Sequence, residues 1–316
     1  MGWQSALAAN RILVLDGGTG SELKRRGISL SPQCWSAAAN LEHIELLSAI
    51  HRDFVAAGAD LITANTFAAT RFVLTEAGLE GRFEEIVRNA LRAATQAARD
   101  SSREVGIAAS LSCLPPSFDV ARYPAPDSEY RAYAELAESF AENGADVVFL
   151  EMMQHPPHAN SACRAVRASG LPFWAGISCR LARASTTEPA DSDAKDTEPL
   201  VSFDDPAVSF DEVLQALLPF DPAGIAIMHT PADAMLPALR KLRERFAGKI
   251  GAYAEIPYAQ ESATAVESPI SPQTYAGMAG EWIEAGAVLI GGCCGTTPAH
   301  IAALRRLVDA RNRNPV

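Results

Sequence analysis

Short apolar runs recur along the chain, with amphipathic helical patterns between them. The runs are Ile12–Leu15, Leu61–Ala64, Val105–Ala109, Val147–Leu150, Phe173–Ile177, Ile225–Met228, Ile250–Tyr253 and Val288–Ile290. They are near-continuously apolar rather than alternating, the pattern of parallel strands covered on both faces. Strands alternating with helices predict a parallel sheet. Eight such units in 316 residues predict an α/β fold, a closed (β/α)8 TIM barrel forming a single domain over 1–316. A doubly wound open sheet is the alternative, but the first run lacks the full Gly-x-Gly-x-x-Gly fingerprint after it.

An internal repeat supports the barrel. Phe54–Asn65, Phe140–Glu151 and Trp282–Cys293 each pass from an aromatic-led helix end through a Gly-Ala stop into a strand. Gly58, Gly144 and Gly286 fit the left-handed residue just past a helix. Each stands seven residues before a polar residue, Asn65, Glu151 or Cys293. Repetition of a βα unit explains the apolar part. It does not explain why a polar residue closes each unit.

Composition narrows the partners. The chain is 48% hydrophobic, enough for a large core, and carries a net charge of -11 with no basic cluster. That balance argues against nucleic acid and against anionic membranes. No apolar run approaches the ~20 residues of a membrane span, and Met1 to Asn10 lacks the charge and apolar length of a signal peptide. Six irregularly spaced cysteines do not form a disulfide framework, so a reducing cytoplasm is expected. One stretch departs from the pattern. From Leu181 to Pro206 there are seven acidic and two basic residues and few large apolar ones, which predicts a long flexible loop after the fifth strand. It is a lid or an idle solvated insertion.

The chemistry-bearing residues lie where the apolar runs end, the position from which barrel enzymes act. The first run ends Asp16-Gly17-Gly18-Thr19-Gly20, which reads as a ligand-gripping carboxylate or as a capping Asp in a glycine-rich turn. The second ends Asn65-Thr66-Phe67. The fourth ends in Glu151, costly to bury without a partner or ligand. The sixth ends in His229 and the seventh in Ala254-Glu255. The eighth runs into Gly291-Gly292-Cys293-Cys294-Gly295-Thr296-Thr297-Pro298. Two adjacent cysteines are commonly just small buried residues, and Gly291-Gly292 can also grip a phosphate at a helix N-terminus. His229, Glu255, Cys293 and Cys294 nevertheless come from three consecutive strands. Nitrogen, carboxylate and two sulfurs together make a credible zinc set.

These motifs resemble the homocysteine S-methyltransferase family. The resemblance rests on Asp-Gly-Gly-Thr-Gly-Ser-Glu-Leu at 16–23, Cys34-Trp35-Ser36-Ala37, His51 with Ala57-Gly58-Ala59-Asp60, Thr63-Ala64-Asn65-Thr66-Phe67, Glu151 and the 291–298 motif. It runs from the first strand to the last helix. It implies a (β/α)8 barrel, a zinc ion (Zn2+) that binds the homocysteine thiolate, and attack by that thiolate on a methyl group. The donor would be a sulfonium or quaternary ammonium of S-methylmethionine, S-adenosylmethionine or betaine type, and the product methionine. Carried over by position, Cys293 and Cys294 would be zinc ligands. Asp16 and Glu151 would hold the amino acid end of homocysteine or a similar thiol, with Gly17 close by and Asn65 and Thr66 lining the pocket. Two positions depart from the family. Its third zinc ligand is a cysteine where this chain has His229, and its Tyr-Pro-Asn at the end of strand seven is here Tyr253-Ala254-Glu255. Together the changes resemble the His/Glu/Cys/Cys site of cobalamin-independent methionine synthase. Cys34, Cys113, Cys163 and Cys179 read as structural or pocket-lining thiols. The alternatives are an altered family member that binds an amino acid or metal without methyl transfer, and a phosphate-gripping lyase.

Overall fold

The computed structural model describes residues 2–182, 198–256 and 270–313. The strands are β1 Leu13–Val14, β2 Leu61–Ala64, β3 Gly106–Ser112, β4 Val147–Met153, β5 Phe173–Ile177, β6 Cys179–Leu181, β7 Leu200–Ser202, β8 Gly224–Met228, β9 Ile250–Tyr253 and β10 Ala287–Ile290. Eight of them form one parallel sheet in the order β1-β10-β9-β8-β5-β4-β3-β2. The sheet curls round until β1 meets β2. A parallel bridge between Leu15 and Leu61, with Asp16 N donating to Leu61 O at 3.1 Å, closes the ring. This is the expected barrel, with helices outside.

The repeated segments show how the ring is set. Gly58, Gly144 and Gly286 adopt φ of 108°, 80° and 98°, a left-handed turn that costs glycine little and lets a helix stop at once. The Asp of the Gly-Ala-Asp repeat then latches the neighbouring strand. Asp60 accepts from Val14 N at 2.9 Å and donates its own N–H to Val14 O at 2.7 Å. Asp146 does the same to Ile107, at 2.8 and 2.9 Å. Each latch fixes strand register, and therefore which side chain ends up at the barrel's carboxyl end.

Apolar residues fill two layers. The inner one, inside the ring, holds Leu13, Leu61, Val147, Phe149, Trp174 and Leu289, and the N-terminal helix Trp3–Ala8 adds Trp3 to it. Trp174 fits because Gly224 and Gly251 give it room: a Cβ at Gly224 would stand 2.5 Å from its ring. The outer layer lies between sheet and helices and buries the repeat's aromatics Phe54, Phe140 and Trp282. Full burial of each such side chain stabilises by roughly 1.5–3 kcal/mol.

The stretch from Leu181 to Pro206 differs from a plain loop where it is described. Its two ends form an antiparallel ribbon, β6 with β7, in which Leu181 pairs with Leu200. Leu181, Leu200 and Val201 are buried. Two apolar residues at each end of an acidic stretch, Cys179 and Leu181, and Leu200 and Val201, are enough to form the ribbon, because all four are buried in it. Of the loop predicted over 181–206, residues 183–197 lie outside the described ones.

Candidate active site

A cavity of about 650 Å³ opens at the carboxyl end of the barrel. Its wall includes Asp16, Gly17, Asn65, Glu151, His229, Glu255, Cys293 and Cys294, each from the end of a barrel strand or the loop that follows. Tyr253, Ser110 and Met228 complete its depth, and Trp35, Phe118, Tyr123 and Phe203 contribute aromatic surface.

Two carboxyl groups are buried in it. Asp16 accepts from Thr63 N at 2.7 Å and from Thr63 Oγ1 at 3.0 Å. Burial pushes its pKa up to about 8 against those two bonds, and neighbouring Glu151 adds to the rise. Glu151 accepts a short bond from Ser110 Oγ. Burial raises it to about 7, opposed by Ser110 and by the nearby Tyr253 hydroxyl. The register of β4 slips between Leu150 and Met153, and Met152 takes φ of 54°. Such bulges re-aim side chains next to active sites, and here the bulge begins at Glu151. The cavity therefore holds two carboxyl groups that ionise only near or above neutrality, a setting suited to an arriving ammonium group.

The same cavity is lined by sulfur and nitrogen. One ligand atom each from His229, Cys293 and Cys294 falls within 4.8 Å of the others, and all three residues are half-buried. His229 Nδ1 is 3.8 Å from Cys293 Sγ and 3.3 Å from Glu255 Oε2. Its backbone sits at φ of 42° and its ring meets Phe203 at 4.8 Å between centroids. A non-glycine residue in that region is strained and is held only by its surroundings. Burial works against charge on the imidazole. Cys294 by hydrogen bond and charge, with Glu255 and Asp204 by charge, nevertheless brings it up to about 8. Bonds from Cys293 and His229 take the Cys294 thiol well below its usual range, and Cys293 is pushed well above. Two sulfurs and one imidazole nitrogen therefore share the corner, a donor set of metal-binding type.

The cysteine loop is held by its neighbours. Gly292 N donates to Asp16 O at 2.9 Å, Cys293 N to Ala254 O at 3.0 Å, and Ile256 N to Cys294 O at 3.0 Å. The glycines serve this close stitching. A Cβ at Gly18 would lie 2.7 Å from Cys293 O, and one at Gly292 would lie 2.2 Å from Thr296 Oγ1. Gly17 is similar, with the Phe54 ring and Thr296 Oγ1 both 2.8 Å from such a Cβ.

The other predicted residues land differently. Asn65 reaches the cavity wall, but its amide is already used: Ser36 Oγ donates to it at 2.6 Å, and its Nδ2 donates to Ser36 O at 3.0 Å and Asn40 Oδ1 at 2.8 Å. Thr66 stands outside the cavity wall. Its hydroxyl donates to Ser110 O at 2.8 Å and accepts from Ser110 N at 2.9 Å, so it steadies the residue that bonds Glu151. Glu255 meets the imidazole rather than both sulfurs. Sequence reasoning missed Ser110, Phe203 and Tyr253. Only Tyr253 left a trace, as the last residue of its apolar run.

Comparison with known proteins gives the family and the fold. The family model described as homocysteine S-methyltransferase matches residues 13–308. A homocysteine S-methyltransferase of Bacillus subtilis, YbgG, is 26% identical, covering 94% of this chain and 95% of its own. A selenocysteine Se-methyltransferase of Brassica oleracea is 24% identical, covering 95% of this chain and 90% of its own. Among solved structures, the metallated form of the homocysteine methyltransferase MmuM from Escherichia coli superposes with a TM-score of 0.76 at 21% identity, covering 96% of this chain and 98% of its own. At that identity the likeness speaks for the fold.

Proposed function

Because the chain belongs to the homocysteine S-methyltransferase family, a family of methyltransferases, we propose that it is a zinc-dependent enzyme that methylates homocysteine to methionine. The observation that carries the reading is the meeting, in one cavity, of His229, Cys293 and Cys294 with the buried pair Asp16 and Glu151. The donor set fits zinc: imidazole and thiolate are its usual ligands, and three protein ligands leave a position open for substrate. His229, Cys293 and Cys294 would hold the ion, and Glu255 would orient His229 through its contact with Nδ1. Zinc bound there supplies a reactive sulfur at neutral pH, since a coordinated thiol is deprotonated outright.

The chain's own residues do the remaining work. Asp16 and Glu151 take the ammonium group of the acceptor and fix its distance from the sulfur corner. Thr63 and Ser110 hold the two carboxylates in place before substrate arrives, which is how positioning lowers a barrier. The donor enters as a sulfonium or quaternary ammonium cation. The described cavity lining contains Asp16, Glu151, Asp204 and Glu255 and neither Lys nor Arg, so it favours a cationic donor. As the new sulfur–carbon bond forms, the donor's bond to its methyl group breaks and the electron pair leaves with the neutral sulfide or amine. Loss of the positive charge weakens the product's hold on this acidic cavity.

The test is to incubate zinc-loaded protein with homocysteine and, in turn, S-methylmethionine, S-adenosylmethionine or betaine, and to measure methionine. Turnover with at least one donor, lost on stripping zinc and restored by adding it back, is expected. Binding of homocysteine with no methionine from any donor would favour an altered member that binds without transfer, a reading supported by the replacement of the family's third cysteine by His229.

A further inference from the structure

The floor of the cavity carries a polar atom that no described residue satisfies. Tyr253 ends β9 with its ring among the inner core residues, 6.3 Å from Phe149 between centroids, and is only 2% exposed. Its hydroxyl has no hydrogen-bond partner among the described residues. The other fully buried tyrosines use theirs. Tyr133 donates to Glu129 Oε1 at 3.0 Å, and Tyr275 donates to Gly291 O at 2.8 Å. A buried, unpaired hydroxyl is unfavourable, and folded proteins leave few of them.

Neighbouring residues make room for it. Tyr253 reaches across the floor past Met228 of β8 to Gly176 of β5, where a Cβ would stand 3.0 Å from the hydroxyl and 2.8 Å from Met228 Cγ. The same Cβ would stand 3.0 Å from Leu150 O, so the hydroxyl lies beside β4 next to the residue that precedes Glu151. Glu151 itself accepts from Ser110 at Oε2. A second donor to the carboxylate adds to the support its charged form gains from an ammonium group in a buried site.

From this geometry we infer that Tyr253 is a positioning residue of the acceptor site, whose hydroxyl donates to Glu151 when the ammonium group of an aminothiol docks there. The inference rests on the proposed role of Asp16 and Glu151 in holding that ammonium group. It assigns the hydroxyl to one class of ligand, a thiol bearing an α-amino group. A thiol of the same length without the amine gains nothing from it.

Calorimetric titration of the zinc-loaded wild type and Tyr253→Phe with L-homocysteine and with 4-mercaptobutanoate tests this. Zinc content and the melting temperature without ligand are measured in parallel. The variant is expected to keep its zinc and to melt no lower than the wild type, since only an unpaired hydroxyl is removed. It should bind homocysteine roughly tenfold more weakly or worse, the loss of a hydrogen bond to a charged group, and bind 4-mercaptobutanoate unchanged. Equal homocysteine affinity in both proteins would overturn the inference, as would an equal loss for both thiols or a lowered melting temperature with unchanged binding. If the wild type itself fails to bind homocysteine, the acceptor-site reading falls and this inference falls with it.

Discussion

The two buried carboxyl groups of the cavity, Asp16 and Glu151, and its sulfur corner, His229, Cys293 and Cys294, are held by different means. The carboxylates are buried and fixed by direct bonds, two from Thr63 and one from Ser110. Around them Asn65 is saturated by Ser36 and Asn40. The sulfur corner is looser. Its backbone is stitched in place, but its ligand atoms meet chiefly one another, at 3.8 Å between His229 Nδ1 and Cys293 Sγ, with Glu255 at 3.3 Å from the imidazole. The carboxyl pair is fixed by side-chain and backbone donors and has raised pKa values. The sulfur corner is fixed through its backbone, and its ligand atoms face one another. Preorganisation thus comes from the chain on one side and, on the proposed reading, from a metal on the other.

The largest expected effect breaks the sulfur corner. Cys294→Ser removes one of three ligands, and both bound zinc and methyl transfer should be lost. Metal analysis and the methionine assay check it, and a variant with full zinc and full turnover would refute the ligand role.

Next comes the carboxyl pair. Glu151→Gln should raise KM for homocysteine roughly 10- to 100-fold, the loss of a charged contact, with zinc retained. It should also change stability in the opposite sense. Folding raises Glu151 to about 7 and Asp16 to about 8, so each binds more protons folded than unfolded. Their favourable contribution is complete below about pH 4 and is lost as pH rises through those folded values. Ligand-free Glu151→Gln should therefore melt higher than the wild type at pH 8, and the difference should vanish near pH 4. In the wild type, KM for homocysteine should fall as pH rises from 6 to 8, because the carboxylates ionise. Melting curves and initial rates across that range measure both.

Glu255→Gln tests the link between imidazole and carboxylate. Zinc affinity, read by competition with a chromogenic chelator, should drop about 10- to 100-fold, while the ligand-free fold keeps its stability. Asn65→Ala should have the smallest effect on chemistry. It leaves Ser36 and Asn40 unpaired and should destabilise by about 1–3 kcal/mol in urea titrations, with kcat nearly unchanged.

The barrel was legible because strands buried on both faces leave unbroken apolar runs. Phe173–Ile177 and Leu61–Ala64 are strands over the residues those runs marked. The Gly-Ala repeat was legible for a similar reason, since Gly58, Gly144 and Gly286 all stop helices at positive φ. The ribbon of Cys179–Leu181 with Leu200–Ser202 was not, because three-residue strands carry no period and their partners lie beyond an acidic stretch. The motif at 63–67 placed Asn65 and Thr66 together, but their side chains serve the scaffold through Ser36, Asn40 and Ser110. Those partners come from distant segments, which residue spacing does not report. The left-handed backbone at Met152 and His229 left no sign either, because neither residue is glycine or asparagine. Tyr253 read as strand, and only its position over Gly176 makes its hydroxyl interesting.

The measurement that tests the central claim most directly is the metal content of untagged protein purified without chelator, by elemental analysis, beside a Cys293→Ser control. The account predicts about one zinc per wild-type chain and none in the control. Wild-type protein that holds no zinc even after reconstitution, or a control that keeps it, would contradict a metal centre built from His229, Cys293 and Cys294.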